Sequence, residues 1–410
     1  MSSSLRIIVT GLIAQHPRLG GVAWDYLNVA LGLRRLGHDV FYLEDSGEWP
    51  YLLDGVPGAD WTAYDFSENV ETLACLMDRF GLGGRWAYRC PLGPSWYGVS
   101  EAERKRLLDS AELLIDVSGT LERPGEYRRV PRMVYLDTDP VFTQIDLANG
   151  KPGVRDRVDV YDVHFSVGER IGEAGPATGH RWRPTKHPIV ISEWGTRKTP
   201  RRCFTTVMAW TSYRPLLHNG CRYGQKDLEL RRLLELPARV GVEFEIALAR
   251  TAHVRWETES AALPAAVEEI LTLHPEWKPQ QLLEHFGWRV RDAAEVVRDV
   301  ERYRDFIWSS RAEWSVAKNG YVRGRSGWFS GRSACYLAAG RPVVVQDTGL
   351  DSVLPVGRGV VTFSNLEEAI AGVREVDSDY ERHARAAREI AFEYFDSDKV
   401  LTRLLSEAMS

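Results

Sequence analysis

Residues 313–349 read EWSVAKNGYVRGRSGWFSGRSACYLAAGRPVVVQDTG. The pattern predicts a helix over Ser330–Ala339 that ends at Gly340, because glycine is favoured just after the last helical turn. A short apolar run, Pro342–Gln346, follows as a buried strand, and the polar loop 346–349 comes after it. The stretch therefore has the helix-then-strand order of an α/β protein.

The start of this helix is also the best candidate binding site. Ser330, Arg332 and Ser333 stand there, where free main-chain N–H groups favour anions. Lys318, with Arg323 and Arg325, adds positive charge just upstream. These residues predict an anion site with Arg332 as its charge clamp. The alternative is that Ser330 only caps the helix and Arg332 is solvated.

A second strand-loop-helix unit opens the chain. Leu5–Gly11 is an apolar run of the parallel-strand kind, Ala23–Leu36 is helical in pattern, and Asp39–Leu43 is the next strand. Gly20 and Gly21 lie in the loop between strand and helix. Without side chains they would let the backbone approach a phosphate, although a simple tight turn needs the same residues.

Alternating strands and helices continue on both sides of a polar, basic segment, Glu193–Arg202, which is the best candidate linker. The fold class is α/β, with two Rossmann-like domains, each built on a parallel sheet. We expect an N-terminal domain over residues 1–195, a C-terminal domain over 196–385, and a C-terminal helix over 386–410. Strands are predicted at Glu112–Val117, Arg132–Leu136, Tyr161–Val167, Pro188–Ile191, Phe204–Trp210, Val242–Ala249, Pro342–Gln346 and Gly359–Phe363, and further helices at Lys226–Leu236, Ala293–Trp308 and Tyr380–Met409, the last with a break near Asp396–Asp398.

Composition narrows the function class. The chain has 410 residues, enough for two domains and a cleft, and its formal net charge of -5 argues against binding along a nucleic-acid backbone. Its five cysteines are scattered and odd in number, which predicts neither disulfides nor a zinc site. No apolar run is long enough for a membrane span, so a cytoplasmic protein is expected.

Two motifs carry a resemblance to a known family. The first is Trp328-Phe329-Ser330-x-Arg332-Ser333 followed by Ala339-Gly340-x-Pro342-Val343, and the second is the Gly20-Gly21 loop followed by Leu36-Gly37-His38-Asp39-Val40. Together they resemble the GT-B glycosyltransferases over nearly the whole chain. The resemblance implies two Rossmann-like domains facing across a cleft, with a final helix that crosses back to the N-terminal domain.

The resemblance also implies a nucleotide-sugar donor, a UDP-, dTDP- or GDP-sugar, bound mainly by the C-terminal half. Ser330, Arg332 and Ser333 would lie near the donor diphosphate. Trp288 and Val290 would face the nucleotide base, unless Trp288 is an ordinary core residue. Residues after the first strand of the second domain are placed to contact phosphate or sugar, namely Ser212, Tyr213 and Arg214.

One departure concerns the reaction. Many retaining members carry two glutamates eight positions apart, and here Gly327 and Cys335 stand in those places. If the reaction inverts, a base must take the acceptor proton. His16 is the first candidate, Asp137 and Asp139 are the alternatives, and Asp25 is a weaker one because an acid in the first helical turn often only complements the helix dipole.

No obligatory metal is predicted, since Arg, Lys and a helix N-terminus can hold the leaving diphosphate. A nicotinamide or flavin oxidoreductase is disfavoured because no G-x-G-x-x-G follows the first strand. A sugar-nucleotide epimerase or phosphorylase and a non-catalytic nucleotide-sugar binding protein remain alternatives. The acceptor, a small molecule or glycan, would contact the loops Trp49–Trp61 and Arg85–Tyr97.

Overall fold

A computed structural model describes residues 4–48, 65–91, 95–195, 199–249 and 263–410. The predicted acceptor loop Trp49–Trp61 lies outside these ranges, as do residues 92–94 of the second acceptor loop and residues 196–198 of the predicted linker. Two parallel sheets, one on each side of that linker, organise the described chain.

The first sheet has eight strands in the order β4-β3-β2-β1-β5-β6-β7-β8. Every pairing is parallel except the one between β3 and β4. The strands are β1 Arg6–Thr10, β2 Asp39–Glu44, β3 Trp86–Arg89, β4 Trp96–Gly98, β5 Leu113–Val117, β6 Arg132–Asp137, β7 Val163–Ser166 and β8 Trp182–Pro184. Strand order reverses between β1 and β5, and ligands of such sheets bind beyond the strand ends at that point.

In the described part of this half, the sheet is accompanied by the helices α1 Gly20–Arg35, α2 Ser67–Arg79, α3 Glu101–Ser110, α4 Phe142–Ala148, α5 Val154–Val158 and α6 Ile171–Ala174. Helix α1 is buried on most of its circumference, because it packs on its own sheet and also on helices from the end of the chain. The predicted strand at Pro188–Ile191 is wrong. That segment makes one isolated bridge, from Ile189 to Asp396, and then a 3-10 turn over Ile191–Trp194.

The second sheet has six parallel strands in the order β13-β12-β9-β14-β15-β16. Its strands are β9 Cys203–Ala209, β12 Glu243–Ala249, β13 Arg289–Asp292, β14 Ala312–Ser315, β15 Val343–Gln346 and β16 Val360–Phe363, and a separate hairpin consists of β10 Leu216–His218 and β11 Cys221–Tyr223. Its order reverses between β9 and β14. Both predicted Rossmann-like sheets are thus present.

The helices of this half are α7 Lys226–Leu230, α8 Leu236–Arg239, α9 Ala265–Leu273, α10 Pro279–His285, α11 Ala293–Val296, α12 Val300–Ser309, α13 Asn319–Gly324, α14 Gly331–Ala338, α15 Leu366–Ser378, α16 Tyr380–Ile390 and α17 Ser397–Ala408. Two helices predicted as continuous are broken. The predicted helix over 226–236 changes to a 3-10 turn at Arg231–Leu233, and the one over 293–308 is interrupted between Val296 and Val300.

The C-terminal helix crosses back to the first domain, as predicted. Helix α17 packs on α1, where a Cβ added to Gly32 would lie 2.5 Å from Leu401 and 2.8 Å from Ser397. The predicted break is confirmed at Asp396, whose side chain accepts a hydrogen bond from Asp398 N–H at 3.0 Å and caps α17. The domain limits 195 and 385 stay a prediction.

Hydrogen bonds join the two domains at two places. At the first, Gly168 and Trp328 form an antiparallel bridge, and Arg170 N–H donates to Ser326 O at 2.9 Å. At the second, the indole N–H of Trp24 donates to Val300 O at 3.0 Å. Within the described residues, no helix has the length and apolar character to cross a membrane.

Candidate functional site

A cleft with a volume of about 350 Å³ lies between the domains, beyond the carboxyl ends of both sheets. Strands β5 and β6 end at its N-terminal wall, and β9 and β12 end at its C-terminal wall. Both points of strand reversal open onto it, which is where α/β sheets bind ligands. Its polar and charged lining includes Asp25, Ser118, Thr138, His187, Ser212, Gln225, Lys226, Lys318, Ser330 and Arg332.

Helix α14 points its N-terminus into this cleft. Gly331 is its first residue, Ser330 precedes it, and both line the cleft. The first hydrogen bond within the helix runs from Ala334 N–H to Ser330 O at 3.0 Å, and no side chain within the described residues caps this end. The N–H groups of the first turn are thus free to bind an anion.

Arg332 lines the cleft but is also held by the sheet. Its Nε donates to Glu313 Oε1 at 2.5 Å, its Nη1 to Val207 O at 2.7 Å, and its Nη2 to Ser315 Oγ at 2.6 Å. Glu313 is fully buried, whereas the Arg332 side chain is 11% exposed. The guanidinium therefore joins β9 to β14 and has its charge balanced by a carboxylate, so it is only in part the free clamp that the sequence predicts.

Lys226, the first residue of α7, is a cation that the sequence analysis did not select. It lines the cleft, and among the described residues Glu313, which is already paired with Arg332, is the carboxylate whose charge acts on its ammonium. Burial lowers its pKa well below the usual lysine value, and the positive charges of Arg332 and Lys318 lower it further. A cation whose carboxylate neighbour is already paired with another cation is suited to bind an anion.

Asp25 lies on the opposite wall, on α1. Its side chain is exposed to the cleft, and residues of both domains surround that cleft. Desolvation raises the pKa of Asp25 to about 7, and the charge of Arg332 opposes that rise. Asp25 thus titrates near neutrality, a property frequent at functional sites.

His187 is the second cleft residue that the sequence analysis did not select. It follows β8 and lines the same wall as Asp25. Burial lowers its pKa to about 4, so the imidazole is neutral at physiological pH. A Cβ added to Gly331 would lie 3.2 Å from His187 Nδ1 and 3.2 Å from Asp25 Oδ1.

Asp139 reaches across to the C-terminal domain. Lys318 Nζ lies 2.9 Å from its Oδ1 and 2.8 Å from the hydroxyl of Tyr213. Tyr213 and Tyr321 both donate hydrogen bonds to the same carboxylate. Asp139 is therefore a partner in an interdomain ion pair rather than an open base, and Lys318 has its charge partly balanced.

Asp137 is wrong as a candidate base, because its carboxylate is buried and fully hydrogen-bonded. It is 1% exposed. It accepts from Thr143 Oγ1 at 2.8 Å, Gln144 Nε2 at 2.9 Å and Ser166 Oγ at 2.8 Å. It also accepts from the N–H of Asp139 at 3.1 Å. This carboxylate fixes the turn between β6 and α4, as buried polar groups require partners.

His16 does not belong to the cleft lining that the structure describes. It lies in the loop after β1, and burial lowers its pKa to about 4. The carboxylate of Glu44 holds this loop by accepting hydrogen bonds from the N–H groups of Ala14, at 2.9 Å, and Gln15, at 2.6 Å. The prediction that His16 is the first candidate base is therefore not supported by its position.

Gly20 and Gly21 let the two domains approach each other. Gly20 N–H donates to Val297 O at 3.0 Å, and a Cβ there would collide with the main-chain carbonyl of Asp299. Gly21 lines the cleft, and a Cβ there would lie 2.8 Å from the ring of Tyr303. The predicted phosphate contact is wrong for Gly20, since its N–H already has an acceptor.

Trp288 is a core residue, so the predicted stacking on a nucleotide base is wrong in this structure. It is 3% exposed, its indole N–H donates to Leu234 O at 2.9 Å, and its ring packs on Phe244 and Trp314. Val290 pairs with Ile246 within the second sheet and lies outside the described cleft lining.

The remaining predicted residues divide between cleft and surroundings. Ser212 lines the cleft. Arg214 is exposed beside it. Ser333 is buried in the first turn of α14, and Cys335, two residues later, is buried as well. Within the described residues, no group of three His, Cys, Asp or Glu side chains is arranged to hold a metal ion.

Solved glycosyltransferase structures share this architecture. An alpha-glucosyltransferase in complex with UDP and a 13-mer DNA aligns over 100% of both chains, with a TM-score of 0.56 and 13% identity. Anabaena HepE in complex with UDP and glucose aligns over 99% of this chain and 100% of its own, with a TM-score of 0.55 and 11% identity. Sucrose-phosphate synthase from Thermosynechococcus elongatus aligns over 98% of this chain and 100% of its own, with a TM-score of 0.53 and 11% identity. The fold is the GT-B fold predicted from the sequence.

A similarity to a known family is found in the C-terminal part of the chain. Residues 250–406, less than half of the chain, match the model of a family described as glycosyl transferase-like. A comparison with curated protein sequences gives no significant match.

One expectation is overturned by these neighbours. The net negative charge argues against binding along a nucleic-acid backbone, but alpha-glucosyltransferase structures of the same fold contain DNA. Net charge averages over the whole surface, whereas an acceptor meets only the mouth of the cleft. Charge alone therefore does not exclude this partner.

Proposed function

We propose that this protein is a glycosyltransferase that moves a sugar from a nucleotide-sugar donor to an acceptor hydroxyl. The observation that carries the proposal is Lys226, a cation in the interdomain cleft whose carboxylate neighbour, Glu313, is already paired with Arg332. Holding such a group away from water is costly unless an anion joins it. The glycosyl transferase-like family match and the UDP in the neighbours point to a nucleoside diphosphate as that anion.

In this proposal the donor diphosphate lies at the N-terminus of α14. Ser330 and the N–H groups of the first turn of α14 contact the diphosphate, and Lys226 faces it from α7. Arg332, already paired with Glu313, contributes its remaining N–H donors and fixes the geometry of β9 and β14. Ser212, at the end of β9, is placed to contact phosphate or sugar.

Metal independence belongs to the same proposal. The leaving nucleoside diphosphate gains negative charge, and preorganised cations and helix N–H groups stabilise that charge without reorganisation. Lys226 and Arg332 supply the cations here. Transfer is therefore expected to proceed in the presence of a chelator. A cytoplasmic location stays a prediction.

The test is a donor and acceptor panel on the wild-type protein. Calorimetry would measure binding of UDP-, dTDP-, GDP- and ADP-sugars, and mass spectrometry would follow transfer to water, sugars, aromatic alcohols and duplex DNA. Selective binding of one nucleotide class with transfer of its sugar supports the proposal. Absence of binding to every member contradicts it. Binding without transfer would identify a binding protein, and acceptor-independent isomerisation of the donor an epimerase.

A further inference from the structure

The cleft carries an acid on the wall opposite α14. Gly331 begins α14, and a Cβ added to it would lie 3.2 Å from Asp25 Oδ1. The same Cβ would lie 3.2 Å from His187 Nδ1. Two groups that can accept a proton, both from the N-terminal domain, therefore approach the helix N-terminus where the donor diphosphate is proposed to lie. An acceptor hydroxyl bound between the domains would meet these groups.

The charged and titratable groups around Asp25 come from several elements. Arg332 and Cys335 face it from α14, Tyr303 from α12, and Tyr26 from its own helix. Burial raises the pKa of Cys335, Tyr303 and Tyr26, so these three groups are neutral near pH 7. Of the four groups, Arg332 is the one that is charged at this pH. Its charge is shared with Glu313.

The two proton acceptors differ in basicity. The pKa of Asp25 is raised to about 7, whereas the pKa of His187 is lowered to about 4, in both cases by desolvation. A general base works best when its pKa is near the operating pH. Near pH 7 His187 is neutral and weakly basic, and it is suited to accept a hydrogen bond from substrate rather than to take a proton.

We propose that Asp25 is the general base of the glycosyl transfer, an inference that rests on the proposed function. Its carboxylate takes the proton of the acceptor hydroxyl while that oxygen forms a bond to the anomeric carbon. The bond from this carbon to the donor phosphate oxygen breaks, and its electron pair leaves with the nucleoside diphosphate. The proton then passes from Asp25 to solvent. A single displacement of this kind inverts the anomeric configuration.

The experiment compares the wild type with Asp25→Asn, His187→Gln and Asp156→Asn. The last removes a carboxylate of the same size from the surface of α5, outside the cleft. UDP affinity is measured by calorimetry, and turnover of UDP-glucose, with water and with the acceptor panel, is measured between pH 5 and 9. If another nucleotide class binds, its sugar replaces UDP-glucose. The anomer released is determined by NMR immediately after cleavage.

We expect Asp25→Asn to lose at least 100-fold in turnover, with UDP affinity within about threefold of wild type. Wild-type turnover should rise through a pH near 7, the product should have inverted configuration, and Asp156→Asn should behave as wild type. In His187→Gln, turnover should rise with pH through the same range as in the wild type. The assignment would be overturned by wild-type turnover in Asp25→Asn or by a product that keeps the anomeric configuration of the donor. It would also be overturned by equal losses of affinity and turnover in Asp25→Asn, or by a wild type that binds the donor without turning it over. A wild type that binds no nucleotide would contradict the proposed function itself.

Discussion

Arg332 Nε lies 2.5 Å from Glu313 Oε1, and the Glu313 side chain is completely buried. The residue that sequence reasoning selects as the diphosphate clamp is therefore also half of a buried ion pair at the point where the second sheet reverses its strand order. Removing one partner of such a pair leaves an uncompensated charge in the interior. Its role in binding and its role in stability must be measured separately.

Arg332→Ala should lower the free energy of unfolding by roughly 3–5 kcal/mol, because Glu313 loses its partner. Urea unfolding measures this loss. A double variant, Glu313→Leu with Arg332→Met, should recover most of it, since no buried charge remains. If Arg332→Ala alone is as stable as wild type, the ion pair has no structural role.

Asp25→Asn should raise the melting temperature, and more at pH 8 than at pH 4. The folded-state pKa of Asp25, about 7, lies above the ordinary aspartate value of 3.8, so the folded state binds more protons than the unfolded state between these pH values. Stability is thus lost as pH rises through this window, and asparagine removes that loss. Thermal unfolding against pH checks this, with Asp156→Asn as the control. An equal effect at both pH values would contradict the raised pKa.

Asp139→Asn should reduce kcat/KM by less than about tenfold, since this carboxylate holds Lys318 across the domains rather than taking a proton. Loss of a general base typically costs about 10²–10⁴ in rate. Steady-state kinetics beside Asp25→Asn separates the two roles. A larger loss for Asp139→Asn than for Asp25→Asn would reverse the assignment.

Gly20→Ala should destabilise the protein by about 1–3 kcal/mol, because its Cβ would collide with the Asp299 carbonyl across the domain contact. Gly241→Ala is the matched control, since a Cβ at Gly241 meets no atom within 4 Å. Chemical unfolding of both variants compares them. Equal stability of the two variants would show that Gly20 is not a packing position.

The fold was predictable because its signals are local. Apolar runs such as Leu5–Gly11 and Pro342–Gln346 became β1 and β15, and Gly340 follows α14 with a positive φ of 68°. Helix ends were harder to predict, because the break between α11 and α12 is tied to a contact with Gly20 from the other domain.

The candidate site was predictable only on its α14 side, where Ser330 and Arg332 stand in one short motif. Lys226 and His187 come from segments distant in sequence, and only the packing of the two domains brings them together. Trp288 and Asp137 have functional residue types, but the sequence does not show that their polar atoms are satisfied inside the protein. Lys226 stands at the first position of α7, directly after the antiparallel β10–β11 hairpin, and its place at the start of a predicted helix was the signal available for it.

The most direct test of the central claim is calorimetric titration of UDP into the wild type and Lys226→Met, with Lys105→Met as a control on the exposed face of α3. Hydrogen bonds to charged groups contribute about 1.5–3 kcal/mol, so we predict that Lys226→Met weakens binding at least tenfold while Lys105→Met leaves it unchanged. Wild-type affinity in Lys226→Met would contradict a diphosphate site at the N-terminus of α14.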